Sequence, residues 1–442
     1  MKNIKNSIYG VSDALVLPIL MLIGTPIFLH YLGVEGYATW VLINSIIASL
    51  SFFNFGGADV VIKFVSSSRS EKSRSDESKG EAVKVFSTVF AFQALTLLMI
   101  YGLFIIAASF MDQLTISKNL LLFVEILYIA IPVFFFKQSE QLLYAFLRGK
   151  EQFAQVLVMS GISKVLFFTI QMVISIFTQS VIYVFYGALI ISILLFLLQV
   201  SYIKFIQKEN ISFSGVNINT AKSLLNFGGW NWASSLASML KSDSDKWLVS
   251  WLLGLKVFGF YSIGVMVFNQ LHRIVASSIA WIFPDISKNS LSKEYLSKKY
   301  WKLLFSVGVL GLLISFSLTS LSALFELWLG KEFYQDGQYY ISTFLLIFPM
   351  FTMTIVPYFY LLGLGLVKPK FFVDIASLVA KVVTIWLVIS VLNIKEWVLF
   401  FLIFIVIEYI AYSVVISRNL PIKFLHMIYV LLLQMVIVLL RF

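Results

Sequence analysis

Apolar stretches of about 20 residues recur along the whole chain, and a helix of that length crosses a hydrocarbon core of about 30 Å. Only helices and closed barrels can cross lipid, because an unpaired backbone group is so costly there. Of the 442 residues, 60% are hydrophobic and only 12% are charged, whereas soluble domains carry about 25% charged residues. The longest polar stretch, 63–84, is only a loop. The sequence therefore excludes a soluble enzyme or a nucleic-acid-binding protein.

The hydropathy pattern predicts an all-α polytopic membrane protein with two six-helix bundles and a possible extra C-terminal helix. The thirteen apolar runs are 8–31, 37–62, 84–109, 119–147, 152–177, 181–203, 226–253, 257–284, 302–325, 338–365, 371–393, 397–417 and 424–441. We assign residues 1–206 to an N-terminal lobe, 207–225 to a cytoplasmic linker, 226–420 to a C-terminal lobe and 421–442 to an additional helix.

Basic residues are distributed unevenly between the two sides of the membrane that the predicted spans define. Most of the 33 lysines and arginines fall on the side that carries the N-terminus, and the positive-inside rule places that side in the cytoplasm. Two predicted cytoplasmic loops hold the clusters Lys63, Arg69, Lys72, Arg74, Lys79 and Lys84, and Lys288, Lys293, Lys298, Lys299 and Lys302. We interpret these clusters as setting orientation, and binding of anionic head groups is the alternative. The absence of Cys and the wide separation of three His residues do not favour a metal site.

The chain also repeats itself weakly. Gly33 after the first run matches Gly254 after the seventh, at an offset of 221 positions, and Pro132 matches Pro349 at 217. The turn Arg148-Gly149-Lys150 is echoed by Gly365-Leu366-Val367-Lys368 at 216. Because six is even, both halves should enter the membrane in the same orientation, with a pseudo-symmetry axis along the membrane normal and a cavity between them.

Six cations fall inside predicted spans, where each central Lys or Arg costs about 2.5–3.5 kcal/mol. They are Lys137, Lys164, Lys241, Lys246, Arg273 and Lys381. Four of them, Lys137, Lys164, Arg273 and Lys381, lie about 15–18 Å from the cytoplasmic ends of their spans at 1.5 Å per residue. Lys164 and Lys381 are also 217 positions apart, so the repeat predicts that each half gives one lysine to a shared central space.

Pairing on one helix offers a structural explanation for part of this set. Lys137 with Glu140, Lys241 with Asp245, and Asp243 with Lys246 have the three- or four-residue spacing of helical ion pairs. The other three cations, Lys164, Arg273 and Lys381, have no acidic residue within four positions. We therefore predict a water-filled cationic chamber that accepts an anionic substrate. Pairing with distant carboxylates such as Glu125 or Glu408 is the alternative.

Four carboxylates are candidates for ion coupling, because a buried carboxylate can link ion occupancy to conformation. They are Glu140, Asp243, Asp245 and Glu408, with Asp245 as the leading candidate. Structural pairing is the alternative for each of them.

Several short segments, in order along the chain, resemble the Wzx-type O-antigen and polysaccharide flippases of the multidrug/oligosaccharidyl-lipid/polysaccharide exporter superfamily. The segments are 31–40 (YLGVEGYATW), 54–57 (NFGG), 147–150 (LRGK), Asp245-Lys246, 258–261 (FGFY) and 327–333 (LWLGKEF). No single motif is specific, and the resemblance rests on their order and spacing over nearly the whole chain. The thirteenth apolar run departs from the usual twelve spans of the family.

The resemblance implies two lobes in a V-shaped arrangement and transfer of an undecaprenyl-pyrophosphate-linked oligosaccharide, an O-antigen or capsule repeat unit. Transfer would run from the cytoplasmic to the periplasmic leaflet of the bacterial inner membrane by alternating access, without catalysis or a bound cofactor. The energy would come from an H⁺ or Na⁺ gradient or from onward consumption of the product. The six cations would contact the pyrophosphate and glycan. Membrane lipids, a polysaccharide polymerase and a chain-length regulator are the implied partners, and nucleic acid is not.

Two other functions remain open at this point. A multidrug exporter of the same superfamily should favour acidic residues in its cavity, whereas cations dominate the predicted midplane here. A membrane polysaccharide polymerase or glycosyltransferase should carry a sizeable extramembrane segment with catalytic polar residues. The longest outer loop, near 325–338, shows no obvious acid/base pair.

Overall fold

The computed structural model describes residues 2–51, 57–67, 76–111, 118–206, 218–279, 281–289, 291–392, 394 and 396–440. Every regular element in these ranges is helical, which confirms the predicted all-α class. The helices are α1 (Lys2–Leu50), α2 (Gly57–Ser67), α3 (Asp76–Met111), α4 (Lys118–Gly149), α5 (Phe153–Thr178), α6 (Val181–Ser201), α7 (Ile218–Ile279), α8 (Ile282–Lys288), α9 (Lys293–Ser320), α10 (Ser322–Leu329), α11 (Lys331–Thr352), α12 (Ile355–Gly363), α13 (Val367–Trp386), α14 (Phe401–Asn419) and α15 (Phe424–Leu439). Short π-helical turns follow α6 and α13, and a 3-10 turn precedes α14.

Ten helical stretches among the described residues are long and apolar enough to cross a membrane. They are Val16–Leu50, Val83–Ser109, Leu121–Gly149, Phe153–Thr178, Val181–Phe205, Ala233–Ile279, Lys293–Ser320, Lys331–Gly363, Val367–Val391 and Trp397–Asn419. Eight of them overlap single predicted runs, with ends that differ by up to nine residues. The two others, Val16–Leu50 and Ala233–Ile279, each contain parts of two predicted runs.

Both of these longer stretches turn back on themselves at a glycine. Gly33 has φ 71° and ψ 175°, and Gly254 has φ 79° and ψ 171°. The rings of Phe28 and Trp40 lie 4.6 Å apart, although twelve residues of straight helix would separate them by about 18 Å. Tyr261 likewise donates a hydrogen bond to Asp245, sixteen residues earlier. Each stretch therefore passes through the bundle twice, as the separate predicted runs require, and the ten stretches make twelve crossings.

The last helix, α15, is shorter than each of the ten stretches above. Its 16 residues span about 24 Å, less than a hydrocarbon core of about 30 Å. Buried Gln434 ties it to the bundle, because its amide nitrogen donates to the carbonyls of Gly308 (3.4 Å) and Pro349 (3.3 Å). The thirteenth predicted run is thus a packed helix, too short to cross a full hydrocarbon core without thinning of the bilayer.

Pro349 lies inside α11 and removes one backbone hydrogen bond from that helix. A side chain of the neighbouring helix α9 supplies the missing donor. A proline has no N–H, so the carbonyl four residues earlier loses its helical partner. That carbonyl belongs to Leu345, and the Ser315 hydroxyl on α9 donates to it at 2.7 Å. The Thr352 hydroxyl donates to the Pro349 carbonyl at 2.7 Å. The carbonyls of Leu345 and Pro349 are therefore both hydrogen-bonded inside the bundle.

The chain forms two compact units, Met1–Trp232 and Ala233–Phe442. The turn after α4 in unit 1 matches the turn before α13 in unit 2. The Gln152 N–H donates to the Leu147 carbonyl at 3.0 Å, and the Leu366 N–H donates to the Leu361 carbonyl at 2.8 Å. In both turns the residue before the donor has positive φ, 59° at Glu151 and 73° at Gly365.

These turns correct the register of the predicted repeat. The matching hydrogen bonds are 214 positions apart, whereas the sequence comparison aligned these turns at 216. At the structural offset, Lys381 corresponds to Phe167 and not to Lys164. The predicted equivalence of the two lysines is therefore shifted by three residues, because short motif matches do not fix helical register.

Candidate functional site

Two polar stripes with the same spacing face each other inside unit 2. The stripe on α7 is Ser234, Ser238, Lys241 and Asp245, and the stripe on α13 is Lys370, Asp374, Ser377 and Lys381. Spacings of four, three and four residues keep each stripe on one face of its helix. Each residue of the α7 stripe has a counterpart 136 positions later on α13, which gives four pairs. Hydrogen bonds join the two residues in three of these pairs. The two helices therefore run in the same direction in a fixed register.

Short hydrogen bonds and an ion pair join the α7 stripe to the α13 stripe. The Lys370 ammonium donates to the Ser234 hydroxyl at 3.1 Å, and the Ser238 hydroxyl donates to Asp374 at 2.8 Å. Lys381 pairs with Asp245, which also accepts the Tyr261 hydroxyl. Because Tyr261 lies on the returning arm of the α7 hairpin, this end of the stripe is braced by both arms.

A third helix, α14, adds Glu408 to the stripes. Glu408 accepts hydrogen bonds from Ser377 at 3.0 Å and from Lys241 at 2.8 Å. Lys241 also reaches Asp374 at 2.9 Å, and Lys370 reaches the same carboxylate at 2.6 Å. Lys241 therefore connects α7 to α13 and α14 at once.

The set is balanced in charge, with three ammonium groups against three carboxylates. We call it the charge ladder, and its charged members are Lys241, Lys370, Lys381, Asp245, Asp374 and Glu408. Five of these side chains are 1–7% exposed, and Lys241 is 20% exposed. A single buried charge without a partner would cost several kcal/mol. Pairing explains why this membrane bundle tolerates six charges.

The ladder tests two sequence predictions. Lys241 does not pair with Asp245, because it points across to α13 and α14 and leaves Asp245 to Lys381. For Lys381, which has no acidic residue within four positions, the alternative of pairing with a distant carboxylate is right, and that carboxylate is Asp245. Glu408, which that alternative named, pairs with Lys241. Lys370 and Asp374 were not predicted as members, although their four-residue spacing was a visible signal.

The two other predicted pairs on single helices are confirmed. Lys246 pairs with Asp243, and Lys137 lies 3.3 Å from Glu140. In unit 1, Glu140 also accepts a hydrogen bond of 2.7 Å from the Ser163 hydroxyl. The Lys137 ammonium lies 4.1 Å from the centre of the Phe167 ring. Four of the six predicted binding cations are therefore ion-paired.

Arg273 differs from those four cations. It lies on the returning arm of α7, six residues before the helix ends, and its side chain is exposed. Among the residues that the structure describes, it forms no ion pair. Ile274 beside it is 48% exposed, and Ser277 on the same side of the helix is also exposed. The sixth cation, Lys164, is partly buried on α5. Within the described ranges, no cluster of three or more His, Asp or Glu residues is placed to hold a metal ion.

Comparison with known proteins finds a matching family model and a similar curated protein. A family model described as "Polysaccharide biosynthesis protein" matches residues 4–290. A curated protein of Shigella flexneri named "Putative O-antigen transporter" is 25% identical over 389 residues, which cover 86% of this chain and 89% of that protein.

Solved structures show the same fold at lower identity. The lipid II flippase MurJ in an inward closed conformation has a TM-score of 0.69 and 17% identity, covering 98% of this chain and 93% of that one. An inward-facing multidrug resistance MATE family transporter of the MOP superfamily has a TM-score of 0.65 and 15% identity, covering 92% of this chain and 96% of that one. At these identities the likeness establishes the fold alone.

Proposed function

Because the chain belongs to the polysaccharide biosynthesis protein family, we propose that it is a flippase for a lipid-linked oligosaccharide. Its resemblance to Wzx-type flippases, predicted from sequence, is confirmed by the family match and by the O-antigen transporter relative. The proposed cargo is an undecaprenyl-pyrophosphate-linked O-antigen or capsule repeat unit. It moves from the cytoplasmic to the periplasmic leaflet of the bacterial inner membrane by alternating access, and no chemical bond changes.

The exposed Arg273 side chain is the observation that carries the proposal. A guanidinium at an exposed position of an apolar helix is too costly to face acyl chains. It requires water or an anion, and its planar N–H groups match two phosphate oxygens at once. The four paired lysines are weaker candidates for the pyrophosphate, since a carboxylate already compensates each charge. We therefore assign the pyrophosphate to Arg273.

Arginine substitution tests this assignment. In a strain that lacks the gene for this chain, Arg273→Ala should reduce surface glycan about 10-fold to 100-fold, because a hydrogen bond to a charged group contributes about 1.5–3 kcal/mol. Arg273→Lys should keep part of the function. Ser277→Ala, on the same exposed side of the helix, is the matched control and should display glycan normally. Full glycan display by Arg273→Ala at normal protein level would remove Arg273 from the site.

For energy coupling we propose a proton, acting at the pair of Asp245 and Lys381. Each carboxylate of the charge ladder already accepts an ammonium hydrogen bond, so a sodium ion would have to displace a lysine from it. A proton needs no such displacement. Protonation of Asp245 would release Lys381 and Tyr261 together and loosen the contact between α7 and α13.

Transport assays in vesicles that contain the purified chain can distinguish coupling to protons from coupling to sodium ions. A proton gradient should accelerate transport of the lipid-linked oligosaccharide, and a sodium gradient alone should not. Asp245→Asn should lose the acceleration, and Glu332→Gln, at an exposed position, should behave as wild type. Acceleration by sodium alone, or an unchanged response in Asp245→Asn, would contradict the proposal.

A further inference from the structure

A basic and aromatic surface covers the end of unit 2 where α8 meets α9. We call residues 281–302 the α8–α9 corner. It contains the five lysines at 288, 293, 298, 299 and 302 against the two carboxylates at 285 and 294, a net charge of +3. Large apolar side chains are exposed among these charges, with Trp281 58% and Leu291 96% exposed. Cations mixed with exposed aromatic and aliphatic side chains are typical of the boundary between head groups and acyl chains.

One lysine holds the corner together. The Lys299 ammonium lies 2.7 Å from Asp285 on α8. The same ammonium lies 4.7 Å from the centre of the Trp281 ring and 5.4 Å from that of Tyr295. A single cation thus contacts a carboxylate and two rings, and it joins α9 to α8 at this corner.

An exposed stripe runs from this corner along α9, and it changes from cationic to apolar. Its members are Lys298, Lys302, Phe305, Val309, Leu313 and Phe316. Spacings of three and four residues place all of them on one face of the helix. The four apolar members are 71%, 38%, 58% and 63% exposed in that order. Among the described residues, neither Lys298 nor Lys302 forms an ion pair.

We propose that this stripe binds an acidic glycerophospholipid of the surrounding bilayer. The phosphate lies between Lys298 and Lys302, which are one helical turn apart, and an acyl chain follows Phe305, Val309, Leu313 and Phe316. A zwitterionic lipid would bring its own cation toward the lysines and lose this attraction. A free anion would leave the apolar part of the stripe without a role. The site is distinct from the charge ladder and independent of the transported substrate.

Lipid binding to the purified full-length chain tests this site. Native mass spectrometry can measure bound phosphatidylglycerol and phosphatidylcholine as each lipid is titrated. A lysine near an anionic lipid contributes about 1 kcal/mol, or about fivefold in affinity, so Lys298→Gln with Lys302→Gln should weaken phosphatidylglycerol binding about 30-fold. Phosphatidylcholine binding should stay the same. Phe305→Ala should weaken both lipids equally.

Matched controls separate the site from net charge and from simple anion binding. Lys256→Gln with Lys331→Gln removes two exposed lysines elsewhere in unit 2 and should leave phosphatidylglycerol binding unchanged. Lys298→Arg with Lys302→Arg should restore it. The proposal would be overturned by equal lipid affinity in the glutamine variant and wild type. It would also be overturned by an equal loss in the control, or by displacement of phosphatidylglycerol with an excess of inorganic phosphate.

Discussion

At the scale of single residues, Lys241 is the member of the charge ladder that connects most of the others. It lies 2.9 Å from Asp374 and 2.8 Å from Glu408, on two different helices. The two carboxylates do not depend on it equally. Asp374 also has Lys370 at 2.6 Å, whereas the other partner of Glu408 is the neutral Ser377 hydroxyl. Loss of Lys241 therefore leaves Glu408 as the buried charge without a cation.

This asymmetry predicts the effect of removing the ammonium group. Lys241→Met should lower the free energy of unfolding by about 3–5 kcal/mol, the usual result of breaking a buried ion pair. Lys241→Met combined with Glu408→Gln should recover much of the loss, because no uncompensated charge remains. Thermal unfolding of the purified chain in detergent measures both. An unchanged unfolding midpoint in Lys241→Met would show that the ladder does not stabilise unit 2.

The sequence predicted ladder residues better than their partners. Pairs within one helix, such as Lys137 with Glu140, follow from spacing alone, because three residues place two side chains on the same face. Lys241 and Asp245 satisfy the same rule and still do not pair, since α13 and α14 present nearer carboxylates. The spacing of residues within one helix does not determine which helices pack against each other. The equal spacing of the polar residues on α7 and α13 was the available signal.

At the scale of elements, the two helical hairpins depend on a glycine in the bend. Gly33 and Gly254 combine a positive φ with an extended ψ, a conformation that is essentially restricted to glycine and costs other residues about 1–3 kcal/mol. Hydropathy predicted both arms of each hairpin as separate runs. It could not give the register of the repeat, because the turns at Glu151 and Gly365 share geometry and not sequence.

A glycine series tests the hairpins. Gly254→Ala should lower the free energy of unfolding by about 1–3 kcal/mol, since the added methyl group strains the backbone even where space is free. Gly161→Ala is the matched control, because Gly161 lies inside helix α5 with nothing within 4 Å of an added Cβ. That change should be neutral or stabilise by up to about 1 kcal/mol. Equal unfolding midpoints for the two variants would contradict the role of the bend.

At the scale of the whole molecule, the number of crossings determines which turns share a side of the membrane. Twelve crossings in two matching halves place the turn before α5 and the turn before α13 on the same side. The distribution of lysine and arginine predicts that this side is the cytoplasm. Hydropathy predicted the runs behind these twelve crossings, and a thirteenth run that forms the shorter helix α15, because lipid enforces helix length so strictly. The sidedness stays a prediction, since it depends on charges interacting with a membrane and not on contacts within the bundle.

Single cysteines can test this sidedness directly, because the chain has no Cys of its own. Glu151→Cys and Lys368→Cys replace exposed residues at the two matching turns, and Gln179→Cys and Lys331→Cys replace exposed residues at the other ends of the helices. A membrane-impermeant maleimide applied to intact cells with a permeable outer membrane should label the second pair. The first pair should react only after the inner membrane is opened. Labelling of Glu151→Cys and Lys368→Cys from opposite sides would contradict the even number of crossings per half. Labelling of both from outside would keep the repeat and reverse the orientation, so that the pyrophosphate would meet Arg273 from the opposite leaflet.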